Sequence, residues 1–228
     1  MPFPQGEPSA SVRAYLKVSS PSKMLALFVL LVAKRFNGSQ YYNKMKYVLA
    51  SASPRRRELL SQIIKDFEVV PASSDEKVNL SLFPENIACS LAESKCDEVF
   101  STRPDATVIA CDTIVVFGDK ILGKPKNRDD ARATLKMLSG KVHFVITGVC
   151  VRNKYKKLVE FDKTEVKFNV LSDDFINIYV DGGSPLDKAG SYGIQDGGVV
   201  KEYYGSYTNV VGLPVTLVSK MLKEVTDL

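Results

Sequence analysis

From Tyr47 to the end of the chain, short apolar runs alternate with stretches of helical spacing, which is how an α/β domain reads. Residues 47–50 (YVLA) predict a buried strand. A Ser51-Ala52-Ser53 turn follows, with Ser53 placed to cap a helix that has Pro54 at its first position; Leu59, Leu60, Ile63, Ile64 and Phe67 recur at helical spacing beyond it. Pro84 opens a second helix through Phe100, with Ile87, Leu91 and Ala92 on one side. Residues 107–111 (TVIAC) and 114–117 (IVVF) predict two strands, and Gly118-Asp119 a hairpin turn into 120–122. A third helix fits 129–138, stopped by Ser139-Gly140, and long strands follow over 142–152 and 158–170. Ser172 caps a short helix that ends at Gly182-Gly183. Pro214 opens the last helix, whose Val218, Met221, Leu222 and Val225 face inward. No repeat or linker divides this stretch, so residues 47–228 are expected to form one domain.

Residues 1–46 have a different composition. They contain Ser and Pro, seven basic residues and a single acid, Glu7, and one apolar run over 24–33 (MLALFVLLVA) flanked by Lys23 and Lys34-Arg35. The expectation is a basic extension that is disordered or a targeting leader, with an organellar address or a membrane-proximal anchor as further readings and Met45 as a possible internal start. No run approaches the roughly 20 apolar residues needed to span a bilayer, so no membrane is expected for the body.

The charge of the whole 228-residue chain, +5, changes meaning once that extension is set aside. From Tyr47 onward 24 basic residues face 25 acidic ones, and so neutral a body argues against a broad phosphate-backbone footprint and hence against a nucleic-acid partner. Cys89, Cys96, Cys111 and Cys150 show no C-x-x-C spacing, and with His143 as the single histidine no zinc set can be assembled. They read as small buried residues of a reducing compartment such as the cytoplasm. His143, in the alternating Val142-His143-Phe144-Val145, reads as a core or sheet-face residue.

Candidate chemistry gathers at a few places. Ser51-Ala52-Ser53-Pro54-Arg55-Arg56 puts two hydroxyls, free N–H groups and two guanidinium groups at a helix N-terminus, where Arg opposes the helix dipole unless an anion is bound; an anion site is the expectation. Asp112 lies between very apolar segments, where a carboxylate is costly unless a cation or hydrogen bonds meet it. Glu76, in the polar Ser73-Ser74-Asp75-Glu76, is a possible second carboxylate for Mg²⁺, although a solvated loop charge is the simpler reading of that residue alone. Lys95 and Lys124 are point charges for phosphate oxygens. The glycine-rich 187–195 segment (DKAGSYGIQ) lets backbone approach a ligand, but it has neither Walker nor Rossmann spacing.

At these residues the sequence resembles the Maf family, nucleoside triphosphate pyrophosphatases related to septum formation, from Tyr47 to about Val225. The blocks that carry the resemblance are 50–56 (ASASPRR), 91–95 (LAESK), 110–115 (ACDTIV), 138–148 (LSGKVHFVITG), and 187–195 with 205–214 (GSYTNVVGLP). Cys96 and Cys111 stand where the family usually has Ala, and Asp196 where Gly is common.

The resemblance implies an α/β fold of the inosine-triphosphatase-like type: a mixed twisted sheet with flanking helices, two lobes around a central cleft, and a homodimer. It implies cleavage between the α and β phosphates with Mg²⁺ or Mn²⁺. Asp112 would be proton acceptor and metal contact, Glu76 a metal contact, and Ser51, Arg56, Lys95 and Lys124 the triphosphate holders. Arg55, Thr113 and Gln195 look like the selectivity residues of a dTTP/UTP branch. A methylated-GTP pyrophosphatase of the same family and a catalytically silent nucleotide-binding regulator are the competing readings.

Overall fold

The computed structural model describes residues 46–73 and 81–226. The expectations for residues 1–46, Lys46 apart, and for Glu76 fall outside them.

Among the described residues the chain builds a seven-stranded sheet in the order β2-β1-β3-β5-β6-β7, with β4 paired to β3. The strands are β1 (Lys46–Leu49), β2 (Glu68–Val69), β3 (Ala106–Phe117), β4 (Lys120–Leu122), β5 (Val142–Arg152), β6 (Lys157–Phe168) and β7 (Val200–Tyr204). The helices are α1 (Pro54–Ser61), α2 (Pro84–Thr102), α3 (Arg128–Leu138), α4 (Asp173–Asp181), α5 (Tyr207–Val211) and α6 (Val215–Thr226), with three short 3₁₀ turns between α4 and β7. β1 runs parallel to β2 and β3, and every other pairing is antiparallel, so the mixed sheet expected is the one found.

The alternation of side chains along β3 sorts the core onto two faces. Val108, Ala110, Ile114 and Val116 pack beneath α2, against Ala92, Cys96 and Val99 at one end and Ile87, Ala88 and Leu91 at the other. Ile109 and Cys111 point the opposite way, into a cluster with Leu59 and Leu60 of α1 and Val218, Met221, Leu222 and Val225 of α6. Val115 joins α3 and α4 through Leu135, Leu138, Ile176 and Val180. Cys96, Cys111 and Cys150 are buried as expected while Cys89 is only partly so, and burial pushes the Cys111 thiol up to about 12.

Three sequence-based expectations need correction. Residues 107–111 and 114–117 are not two strands: β3 pairs with β5 without interruption from Val108 to Val116, through Asp112↔Gly148 and Thr113↔Thr147. The pair of polar residues that suggested a break is accommodated because each side chain finds polar partners, described below. The first helix ends at Ser61 rather than continuing through the apolar spacing, and Ile63, Ile64 and Phe67 reach the α1/α6 core from the connection that follows. β2, β7 and α5 were not expected at all.

The site depends on one feature of this topology. β1 accompanies β3 only as far as Leu49↔Ile109, with Ala50 adding one more bond to the Ile109 carbonyl, and β4 joins that same edge of β3 only at Val115. Between them, at residues 110–114, that edge of β3 has no neighbouring strand among the described residues. The chain leaving β1 turns into α1 across this gap. A crevice at the carboxyl end of a strand, where the sheet is interrupted, is where α/β proteins place their ligands.

Candidate active site

A cleft of about 610 Å³ opens at the gap. Ser51, Arg55, Arg56, Lys95, Asp112, Thr113, Lys124 and Gln195 all line it. The structure therefore brings together every expected site residue that lies among the described ones.

One wall is the loop from β1 to α1. Ser53 caps α1 by accepting from the Arg56 amide, and Pro54 takes a position where an N–H would have no helical partner. The Ser51 hydroxyl oxygen accepts from the Ser53 amide and from Arg56 Nη1, both at 3.2 Å. Both bonds use its lone pairs, so its own proton is left to give to an acceptor in the cleft. Arg56 is held by three neutral oxygens: Nε donates to the Gly212 carbonyl at 2.8 Å, Nη1 to Ser51 and Nη2 to Thr113 Oγ1 at 3.0 Å. Its guanidinium is thus fixed in place with no carboxylate partner among the described residues, a cation set up for an anion. Gly212 fits here because its φ is +119°, a backbone conformation that residues with a side chain rarely adopt.

Asp112 and Thr113 are neighbours on β3, and the pleat sends them to opposite faces. Both line the cleft because it wraps the open edge of the strand. Asp112 turns toward α2 and pairs with Lys95, the two side chains being 9% and 16% exposed. The burial that made this carboxylate costly in the sequence is thus met by a cation. Lys95 reaches it because α2 lies very close to the sheet: a Cβ on Gly148, the residue opposite Asp112, would come within 2.1 Å of the Ala88 carbonyl. Asp112 lies within the strand, not at its end.

The far wall is the chain of 3₁₀ turns over 184–196. Arg55 crosses to it, donating from Nη1 to Asp187 Oδ2 at 2.8 Å. Partial burial pushes Asp187 up, but the bonds from Arg55 and Lys188 outweigh it and hold the carboxyl below its usual range. Tyr179 donates to Asp196 Oδ2 at 2.5 Å and accepts from the Gly193 amide, and Ser184 donates to the same carboxylate at 2.7 Å. These bonds tie down the turn that carries Gln195, whose amide folds over Gly193; a Cβ there would be 2.7 Å from Gln195 Nε2.

Sequence reasoning missed Lys188, which lines the cleft, is 9% exposed and donates to Ser184 and Asp187. Its signal was the acid-base pair Asp187-Lys188 just before a glycine. Thr147 and Asn209, behind Thr113, were also missed, and only their polarity within apolar sequence could have pointed to them. Among the described lining residues, Arg55, Arg56, Lys95, Lys124 and Lys188 face Asp112 and Asp187. An excess of cations in a cleft of this size suits a polyanion.

The Maf-like protein family model matches residues 46–225. The chain belongs to the Maf family. Curated relatives include the dTTP/UTP pyrophosphatases of Thermococcus gammatolerans, 47% identical over 176 residues (76% of this chain, 94% of the relative), and Bacillus cereus strain G9842, 43% identical over 181 residues (78% and 95%). The solved structure of the Staphylococcus aureus Ham1 protein is similar at TM-score 0.46 and 15% identity, over 78% of this chain and 98% of that one. In this Maf domain Asp196 takes part in the bonding of the Gln195 turn by accepting from Tyr179 and Ser184.

Proposed function

We propose that this Maf protein hydrolyses nucleoside triphosphates, dTTP and UTP foremost, to the monophosphate and pyrophosphate. The observation that carries the reading is the cleft itself, with a lone pair-bearing carboxylate, Asp112, opposite a capped helix N-terminus and among five cationic side chains. The names of the relatives supply the substrates.

In this reading Arg56, Lys124 and the Ser51 hydroxyl hold the phosphate chain at the start of α1, where dipole and free N–H groups add to the attraction. Phosphate oxygens compete with Asp112 for the Lys95 ammonium. Asp112 then accepts a proton from the attacking water, whose oxygen bonds to the α-phosphorus as the bond to the α,β-bridging oxygen breaks, and pyrophosphate leaves with that electron pair. Positioning and charge neutralisation provide most of the acceleration. Arg55, Thr113 and Gln195 select the base.

A divalent cation, Mg²⁺ or Mn²⁺, belongs to this proposal. No cluster of three or more ligating side chains is found among the described residues, but Mg²⁺ usually takes only one or two carboxylates, the rest coming from water and substrate phosphates. Asp112 fits as one hard oxygen donor, with Glu76 proposed as the second. The cation would neutralise charge on the phosphates. A homodimer acting on the cytoplasmic nucleotide pool completes the reading, and sizing of the purified chain checks the assembly.

Pyrophosphate release across a nucleotide panel with Mg²⁺ tests the proposal. The expected result is kcat/KM for dTTP and UTP well ahead of ATP and GTP. Preference for 7-methyl-GTP would move the protein to the methylated-GTP branch, and binding without release would make it a silent regulator.

A further inference from the structure

Behind Thr113 runs a buried chain of hydrogen bonds whose direction can be assigned by counting protons. Arg56 Nη2 can only donate, so Thr113 Oγ1 accepts from it at 3.0 Å. At the other end Thr147 Oγ1 lies 3.1 Å from the Asn209 carbonyl, which can only accept, so Thr147 spends its single proton there. The two threonine oxygens are 3.0 Å apart. Since Thr147 has no proton left for this bond, Thr113 must supply it. The order is Arg56 to Thr113 to Thr147 to Asn209.

Asn209 is itself held fast: its side-chain amide donates to the Val145 carbonyl at 3.1 Å and to Thr164 Oγ1 at 2.9 Å, and its own amide bonds Ser206 Oγ. Thr147 and Asn209 are both 0% exposed, so no water competes for these groups. Thr113, which lines the cleft, has thus committed its proton inward and one lone pair to Arg56. What remains for an occupant of the cleft is a lone pair alone.

We infer that Thr147 is a positioning residue for substrate choice: it turns the Thr113 proton away from the cleft, so that Thr113 offers the nucleoside an acceptor and nothing else. This rests on the reading of the cleft as a dTTP/UTP site. Phosphate oxygens only accept and cannot pair with such a group. The 2′-hydroxyl is absent from dTTP, and the 3′-hydroxyl, a donor that dTTP, UTP and CTP all carry, cannot separate one from another. The donor that uracil and thymine share is the ring N3–H, and cytosine carries an acceptor at that position. An acceptor held rigidly in a dry setting therefore favours uracil and thymine over cytosine, because the wrong base leaves two lone pairs facing each other.

The test compares kcat/KM for UTP and CTP in the wild type, Thr147→Val, Thr147→Ala and Thr147→Ser. Valine keeps the shape and alanine only the β-carbon, and both remove the hydroxyl; serine keeps the hydroxyl. With Val or Ala, Thr113 is free to rotate its proton into the cleft and serve cytosine N3. The expected result is a UTP/CTP ratio that shrinks roughly tenfold, the weight of one neutral hydrogen bond, in the variants without a hydroxyl and is retained in Thr147→Ser. Equal losses for both nucleotides in Val and Ala, with the ratio unmoved, would make Thr147 a packing residue and overturn the inference while the substrate reading stands. A wild type that does not prefer UTP to CTP would overturn the substrate reading and the inference with it.

Discussion

Asp112 is almost enclosed, paired with Lys95 and facing a cleft whose other lining charges are mostly positive. Replacing it with Asn keeps the volume but removes both the basicity that water activation needs and the charge that a metal would need. The expected outcome is a fall in kcat of at least ~10²-fold with a cooperative melt and unchanged circular dichroism. Turnover of dTTP within a few-fold of wild type would transfer the role of base to another group, with Glu76 the first to examine.

His143 offers a second residue-level prediction. It is 1% exposed, bonded through Nε2 to the Tyr192 hydroxyl at 2.8 Å, and set edge-on to Phe168 and Tyr192. Burial lowers its pKa from 6.5 to about 4. The unfolded chain therefore takes up the proton first, so the stability contributed by the neutral ring is complete above pH 6.5 and is lost as pH falls toward 4, amounting to about 3 kcal/mol. Melting temperature should drop between pH 6.5 and 4.5, before most carboxylates titrate, and this part of the slope should vanish in His143→Phe.

At the scale of elements, β3 shows what could and could not be read from the chain. Its apolar halves were plain, but Asp112 and Thr113 looked like an interruption because nothing local shows that Lys95 and Arg56 arrive from other elements to satisfy them. The same property made the site legible, since an acid in an apolar strand calls for a partner. β2 escaped notice because it is two exposed residues long, and β7 because most of its side chains are exposed and it carries no clear apolar alternation. Thr147 and Asn209 join the site only through strand pairing and tertiary contact.

Gly148 is where sheet and helix meet most tightly, and it fixes how deeply α2 carries Lys95 toward Asp112. Gly148→Ala forces backbone apart, since the added Cβ would meet the Ala88 carbonyl at 2.1 Å. Overpacking of this kind costs about 2 kcal/mol or more, a fall of about 4–8 °C in a chain of this size. Turnover should fall with it as Lys95 and Asp112 separate. Gly182→Ala, whose Cβ would make only ordinary 3.5 Å contacts, is the control and should melt near wild type.

For the molecule as a whole, the split in charge noted in the sequence has a structural counterpart: the body is nearly neutral overall, yet among the described residues its cleft gathers five cations against two acids. Net charge is therefore a poor guide to the ligand here, and the clustering of Arg and Lys around one helix start was the better signal. Where the working domain begins is a question at this same scale. Four clusters of buried residues, drawn from Val48 to Val225, close the described core, and the Maf match spans nearly the same range. Since every member of these clusters comes from that range, deletion of residues 1–44 should leave the melting temperature within about 2–4 °C, equivalent to about 1 kcal/mol, and pyrophosphate release within about twofold. If the shortened chain instead melts far lower, the apolar run at 24–33 contributes to the domain, and its composition should be read as core rather than as leader.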